Sequence, residues 1–165
     1  STATAFFAFR TEELPRPLTS AGFMVPATEG TILASTFVSS KWQGRAPEGH
    51  TLLRVFLGGA RAPNLVDDSD DESLRSLAFS ELSRFLGPLP KPELFELHKW
   101  SKANAQPTVG HIGRMDRIFG RLAWLPGVTL AGSGYRASGI SDCAGQGRAA
   151  ARLVLEEIEK RCSGS

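Results

Sequence analysis

Up to Ala60 the chain carries short apolar runs, rich in β-branched and aromatic residues, set between turn signals; this is the pattern of β structure. Phe6 to Arg10 predicts a strand, followed by a polar, proline-broken loop at Glu12 to Pro17. Gly22 to Pro26 and Thr31 to Val38 flank the turn residues Thr28-Glu29-Gly30, which predicts a hairpin. A loop at Lys41 to Gly49 leads into the apolar run Thr51 to Leu57, and Gly58-Gly59 stops it.

The period then changes from strand-like to helical. Leu74, Leu77, Ala78, Leu82, Phe85 and Leu86 recur at the spacing that lines one face of a helix. Ser69 and Glu72 read as a capping box, and the acidic cluster Asp67 to Glu72 suits the positive end of the helix dipole. That role accounts for the cluster without a further function. Gly87-Pro88 ends the helix. Glu93 to Trp100 predicts another strand. Val109 to Trp124, with His111, Arg114, Arg117 and Arg121, predicts a helix. Val128 to Ala131 reads as a short strand, Gly132 to Gly139 as a glycine-punctuated turn, and Ser141 to Lys160 as an alanine-rich amphipathic helix. The fold class expected is α+β, an antiparallel sheet with helices, ending in a strand–turn–helix of the kind found in α/β folds. We place the boundary between a β-rich region with one helix at 1–105 and a C-terminal segment at 106–165.

Composition narrows the function classes. The 165 residues are 41% hydrophobic and 22% charged, as in an ordinary globular protein with a real core. The net charge of +2, without a Lys/Arg stripe, argues against nucleic acid as a partner. No apolar run approaches the ~20 residues of a membrane span. Cys143 and Cys162 make neither a disulfide framework nor a metal-ligand pattern, and a cytoplasmic setting is expected. His50, His98 and His111 are too scattered to form a metal site. The chain opens directly on a strand pattern, without an initiator methionine or a basic leader. We therefore expect a piece of a longer chain, not a signal peptide.

The segment with the most chemistry in it runs from Leu130 to Cys143. Gly132, Gly134 and Gly139 punctuate a turn between a predicted strand and a predicted helix. Glycine lets a backbone approach a ligand closely, and the helix start offers unpaired N–H groups with partial positive charge. An anionic guest fits such a turn, either a phosphate or the N1/C2 edge of a reduced flavin. An ordinary strand-to-helix turn with no ligand is the alternative, since the spacing is neither a Walker nor a Gly-x-Gly-x-x-Gly fingerprint.

This stretch resembles the C-terminal flavin motif of the protoporphyrinogen oxidase family, within the amine-oxidase-like flavoproteins. There a Gly-x-x-Tyr turn (here Gly132 to Tyr135) leads to Asp-Cys (Asp142-Cys143) and an alanine-rich helix (Gly147-Arg148-Ala149-Ala150). Gly22-Phe23-Met24-Val25-Pro26, Arg45-Ala46-Pro47-Glu48-Gly49-His50 and Gly58-Gly59-Ala60-Arg61 are similar to that family in the same order. So are His98-Lys99-Trp100 and Thr108-Val109-Gly110-His111. Two departures stand out. Asn104-Ala105-Gln106-Pro107 replaces the family's Ile-Pro-Gln-Tyr, and Ser141 replaces a common proline.

The resemblance implies the C-terminal part of an FAD-dependent oxidoreductase that converts protoporphyrinogen IX to protoporphyrin IX in haem biosynthesis by hydride transfer to flavin. It implies that the sheet belongs to a substrate-binding domain and that the final turn and helix complete an FAD-binding α/β domain. Carried over by position, Ser138, Gly139 and Ile140 meet the flavin through their backbone, Gly132 and Gly134 shape the turn, and Trp100 borders the flavin. No catalytic side chain and no metal ligand is assigned. The family's N-terminal nucleotide fold is not among these residues, so an incomplete FAD site is expected, with an N-terminal half in cis or in trans as partner beside a tetrapyrrole substrate. Homodimerisation and peripheral attachment to a membrane are further expectations. Two other readings remain: a different amine-oxidase-like flavoenzyme, or a non-catalytic protein- or tetrapyrrole-binding module.

Overall fold

The computed structural model describes residues 1–136 and 138–163. The chain divides into two compact units, Ser1–Asn104 and Ala105–Ser165. The first is built on a five-stranded antiparallel sheet of β1 (Thr2–Arg10), β2 (Gly22–Met24), β3 (Ala34–Phe37), β4 (His50–Gly58) and β5 (Leu94–Trp100), in the order β2-β3-β4-β1-β5. The expected hairpin is the β2–β3 pair, with Phe23 opposite Ser35.

Side-chain alternation decides which face of the sheet is covered. Ala3, Ala5, Phe7 and Phe9 of β1 and Leu53, Val55 and Leu57 of β4 point to one side and are buried. After two one-turn helices, α1 (Val38–Lys41) and α2 (Leu65–Asp68), the long helix α3 (Asp71–Leu86) joins the same core. Its buried positions Leu74, Ala78, Leu82 and Leu86 are those the helical spacing predicts, with Leu77 and Phe85 partly buried beside them. Phe7 lies 5.8 Å from Phe79 of α3 and 5.1 Å from Phe95 of β5, measured between ring centroids. Burying one such phenyl ring contributes about 1.5–3 kcal/mol, so this side of the sheet is where the unit is held together.

Two local expectations are corrected. The cap of α3 is Asp70, whose carboxylate accepts from the Ser73 N–H at 2.7 Å, instead of the Ser69–Glu72 pair. Ser69 ends the preceding helix, α2, in extended backbone, so the next helix can begin only one residue later. The acidic cluster is therefore shared between two helices. Asp67 accepts from the hydroxyls of Ser1 at 2.6 Å and Ser101 at 3.0 Å, tying the start of β1 to the end of β5. Arg61 donates to the carbonyls of Val25 at 2.6 Å and Ile32 at 2.9 Å. It closes the hairpin loop, where backbone acceptors face no ladder partner.

Gly58 ends β4 for a steric reason. Its φ is +83°, and a Cβ there would stand 2.7 Å from both the Ser1 carbonyl oxygen and the Val66 side chain.

The second unit contains α4 (His111–Leu122) and α5 (Ile140–Ser163). Residues 128–131, expected as a strand, form none: among the described residues they pair with no strand. A strand is a pairing state, and apolar, β-prone sequence alone does not supply the neighbouring ladder. No residue of α5 is buried, and Leu153, Leu155 and Ile158 are each at least half exposed. Among the described residues, no helix is long and apolar enough to cross a membrane.

Candidate functional site

The turn singled out by sequence lies wholly in the second unit. Gly132 has a φ of +133°, open to glycine and strained for other residues, and its N–H points to the Gln146 side-chain oxygen at 3.4 Å. Gly134 follows in the same turn, and the Tyr135 N–H returns to the Gly132 carbonyl at 3.3 Å. Ala137, inside the expected turn, lies outside the described residues. Ser138 and Gly139 are exposed, and α5 starts at Ile140 with its side chain 91% exposed. The first helical hydrogen bond runs from the Cys143 N–H to the Gly139 carbonyl at 2.9 Å. Amides N-terminal to Cys143 have no carbonyl one turn back to bond, so the helix start presents donors beside an exposed backbone.

The turn is held from behind by α4. His111 Nε2 meets the Tyr135 carbonyl oxygen at 2.6 Å; a carbonyl only accepts, so that nitrogen carries the proton. The Tyr135 ring packs edge-on against Phe119, with centroids 6.4 Å apart. Arg136 pairs with Asp116 at 2.9 Å and lays its guanidinium 4.9 Å from the centre of the same Phe119 ring. His111, Asp116 and Phe119 all fall within α4, a placement visible in the sequence. What they touch is not, because the turn lies roughly twenty residues away.

Trp100 belongs to the first unit, at the end of β5 opposite Thr2, and is 55% exposed. It lines a groove of about 390 Å³ with Thr2, Thr4, Leu33, Phe56 and Asn104. This groove opens on the sheet face turned away from α3, where Thr4, Phe6, Arg54, Phe56 and His98 share register across β4, β1 and β5. Sequence reading picked out Trp100 but missed Phe56 and Leu33. The missing signal was the sheet order, which sets β4 beside β1 and brings Phe56 opposite Thr4. The departure Asn104-Ala105-Gln106-Pro107 coincides with the junction between the units, and Asn104 donates to the Thr2 hydroxyl at 3.3 Å.

An exposed turn with a glycine-only φ, leading into an open helix start, suits the edge of a planar group that carries partial negative charge. A flavin ring has such an edge. The Asp142 carboxylate lies near Gly139, where a Cβ would stand 2.8 Å from Oδ2, so it shares the positive field of the helix start. A carboxylate in that position disfavours a dianionic phosphate as guest.

Comparison with known proteins identifies the family. Residues 2–155 match the family described as Flavin containing amine oxidoreductase, and the chain belongs to that family. Within it, the chain is similar to the coproporphyrinogen III oxidase of Staphylococcus aureus (strain NCTC 8325 / PS 47), 31% identical over 158 residues covering 94% of this chain and 34% of that protein. Protoporphyrinogen oxidase 2, chloroplastic/mitochondrial, of Arabidopsis thaliana is 30% identical over 159 residues, covering 94% of this chain and 31% of that protein. A solved structure from Exiguobacterium sp. 255-15, named for a protoporphyrinogen oxidase, superposes with a TM-score of 0.78 at 32% identity. It covers 96% of this chain and 34% of that one. The chain thus spans about a third of the length of the relatives it matches. A reduced UDP-galactopyranose mutase shares the fold, with a TM-score of 0.59 at 15% identity.

Proposed function

We propose that this chain is the C-terminal part of an FAD-dependent oxidoreductase that converts a porphyrinogen to its porphyrin, with protoporphyrinogen IX as the substrate the motifs imply. The observation that carries this reading is the exposed backbone from Ser138 to Ile140, set beside a turn that α4 braces through His111, Asp116 and Phe119. A bound flavin would supply the hydride acceptor. The chain's own residues orient and stabilise. Gly132 and Gly134 keep the turn free of side chains, and the start of α5 favours negative charge at the ring edge by about 0.3–1 kcal/mol. The open sheet face with Trp100, Phe56 and Leu33 offers an apolar wall for a tetrapyrrole. No acid–base pair is needed on this chain for hydride transfer.

On this reading the FAD site is shared. The adenosine and pyrophosphate take their contacts from an N-terminal half joined in cis or supplied in trans, and no nucleic acid takes part. Visible absorption of the purified chain with added FAD, with and without that half, tests the proposal. A bound-flavin band that appears only when the half is present supports it. Absence of a band under both conditions rejects it and favours a flavin-free binding module.

A further inference from the structure

We propose that Arg54 is the residue of this chain that receives a carboxylate of the tetrapyrrole, fixing the ring's orientation on the open sheet face. The inference rests on the porphyrinogen reading above and adds a residue that neither the motifs nor the glycine turn singled out.

Arg54 is anomalous in its surroundings. It lies in the middle of β4, between Phe6 of β1 and Thr36 of β3, on the face turned away from α3. It is partly buried, and its Nε is buried with no hydrogen-bond partner. Among the described residues it forms no salt bridge, whereas Arg10, Arg75, Arg84, Arg136 and Arg161 each pair with a carboxylate. The acidic residue in its cross-strand row is Glu96, beyond Phe6 and two strands away, a separation of roughly 10 Å. The guanidinium lies against Phe56, whose ring centre is 4.6 Å from it.

A partly buried cation with an unused buried donor carries an unrepaid desolvation cost. Stacking on Phe56 orients the guanidinium fork without using its N–H groups, which leaves it pre-organised for a planar oxyanion. Phe56 is also a wall of the groove lined by Leu33 and Trp100. A ligand with an apolar ring and carboxylate arms can therefore seat the ring against that wall and reach Arg54 with an arm. Porphyrinogens have this shape and charge. An apolar ligand would leave the donor unmet, and a phosphate ester would lack the ring the wall accommodates.

The test uses the flavin-loaded full-length protein and two probes, coproporphyrin III as the free acid and as its fully esterified methyl ester, with binding read from porphyrin fluorescence. The wild-type protein is expected to prefer the acid. Arg54→Met, which keeps a stem to pack on Phe56, is expected to weaken acid binding roughly tenfold or more while leaving the ester unchanged. Arg54→Lys, a charge without the fork, should fall between them. It carries the test if the methionine variant melts at a lower temperature and fails to fold. If Arg54→Met and Arg54→Lys bind the acid as wild type does, or if acid and ester are lost equally, the role of Arg54 is overturned and the porphyrinogen reading stands. If the wild-type protein binds neither probe, both fall together.

Discussion

His111 Nε2 stands 2.6 Å from the carbonyl oxygen of Tyr135, so a side chain at the start of α4 holds the backbone of the glycine turn that precedes α5. The contact joins positions 24 residues apart. It fixes the turn by hydrogen bonding to main chain. His111→Ala should weaken flavin binding by about fivefold, the worth of one hydrogen bond of about 1 kcal/mol. His111→Gln, which can still donate, should recover part of it. Flavin fluorescence titration of the protein completed by its N-terminal half reads both.

Gly132 tests the same turn through its backbone. At a φ of +133° a β-branched residue is strained, by about 1–3 kcal/mol. Gly132→Val should abolish the bound-flavin band while leaving the sheet's strand signal in circular dichroism unchanged, because the residue lies in the other unit.

The core prediction concerns Leu82, which is fully buried on α3. Leu82→Ala removes packing that the rigid sheet cannot replace, and should cost about 2–5 kcal/mol in chemical denaturation followed by circular dichroism.

Acid sensitivity should centre on Glu81. Burial alone would raise its carboxyl, but the Thr31 N–H at 2.8 Å and the neighbouring Arg84 outweigh it and hold it below the ordinary 4.5. A carboxylate depressed in the folded state stabilises the fold above its unfolded value. That stability is lost as pH falls from about 4.5 through the lower folded value. Asp67, held down by the Ser1 and Ser101 hydroxyls, and Asp70, held down by Ser73, act in the same direction. Glu81→Gln should therefore flatten, without abolishing, the fall in melting temperature below pH 4.5, and leave the slope near neutrality unchanged.

Much of the fold was legible because it is local. The α3 face of Leu74, Ala78, Leu82 and Leu86, the β2–β3 hairpin and the stop at Gly87 follow from residue period and from glycine's freedom at positive φ. The ordered motifs from Gly22 to Ala150 were enough to indicate the family. These features need only neighbours within a few residues, or a pattern read in order.

What the tertiary structure alone decided depends on partners distant in sequence. Arg61 reached the carbonyls of Val25 and Ile32 because an unpaired hairpin loop lay beside it. The cap moved to Asp70 because a one-turn helix ended at Ser69. Residues 128–131 stayed unpaired, since apolar sequence does not provide a neighbouring edge. Arg54 and Phe56 became part of an open face only once β4 was set between β3 and β1. Residue period states which side of an element is apolar; only the packed chain states what each side meets, because those energies belong to contacts that no stretch of sequence contains by itself.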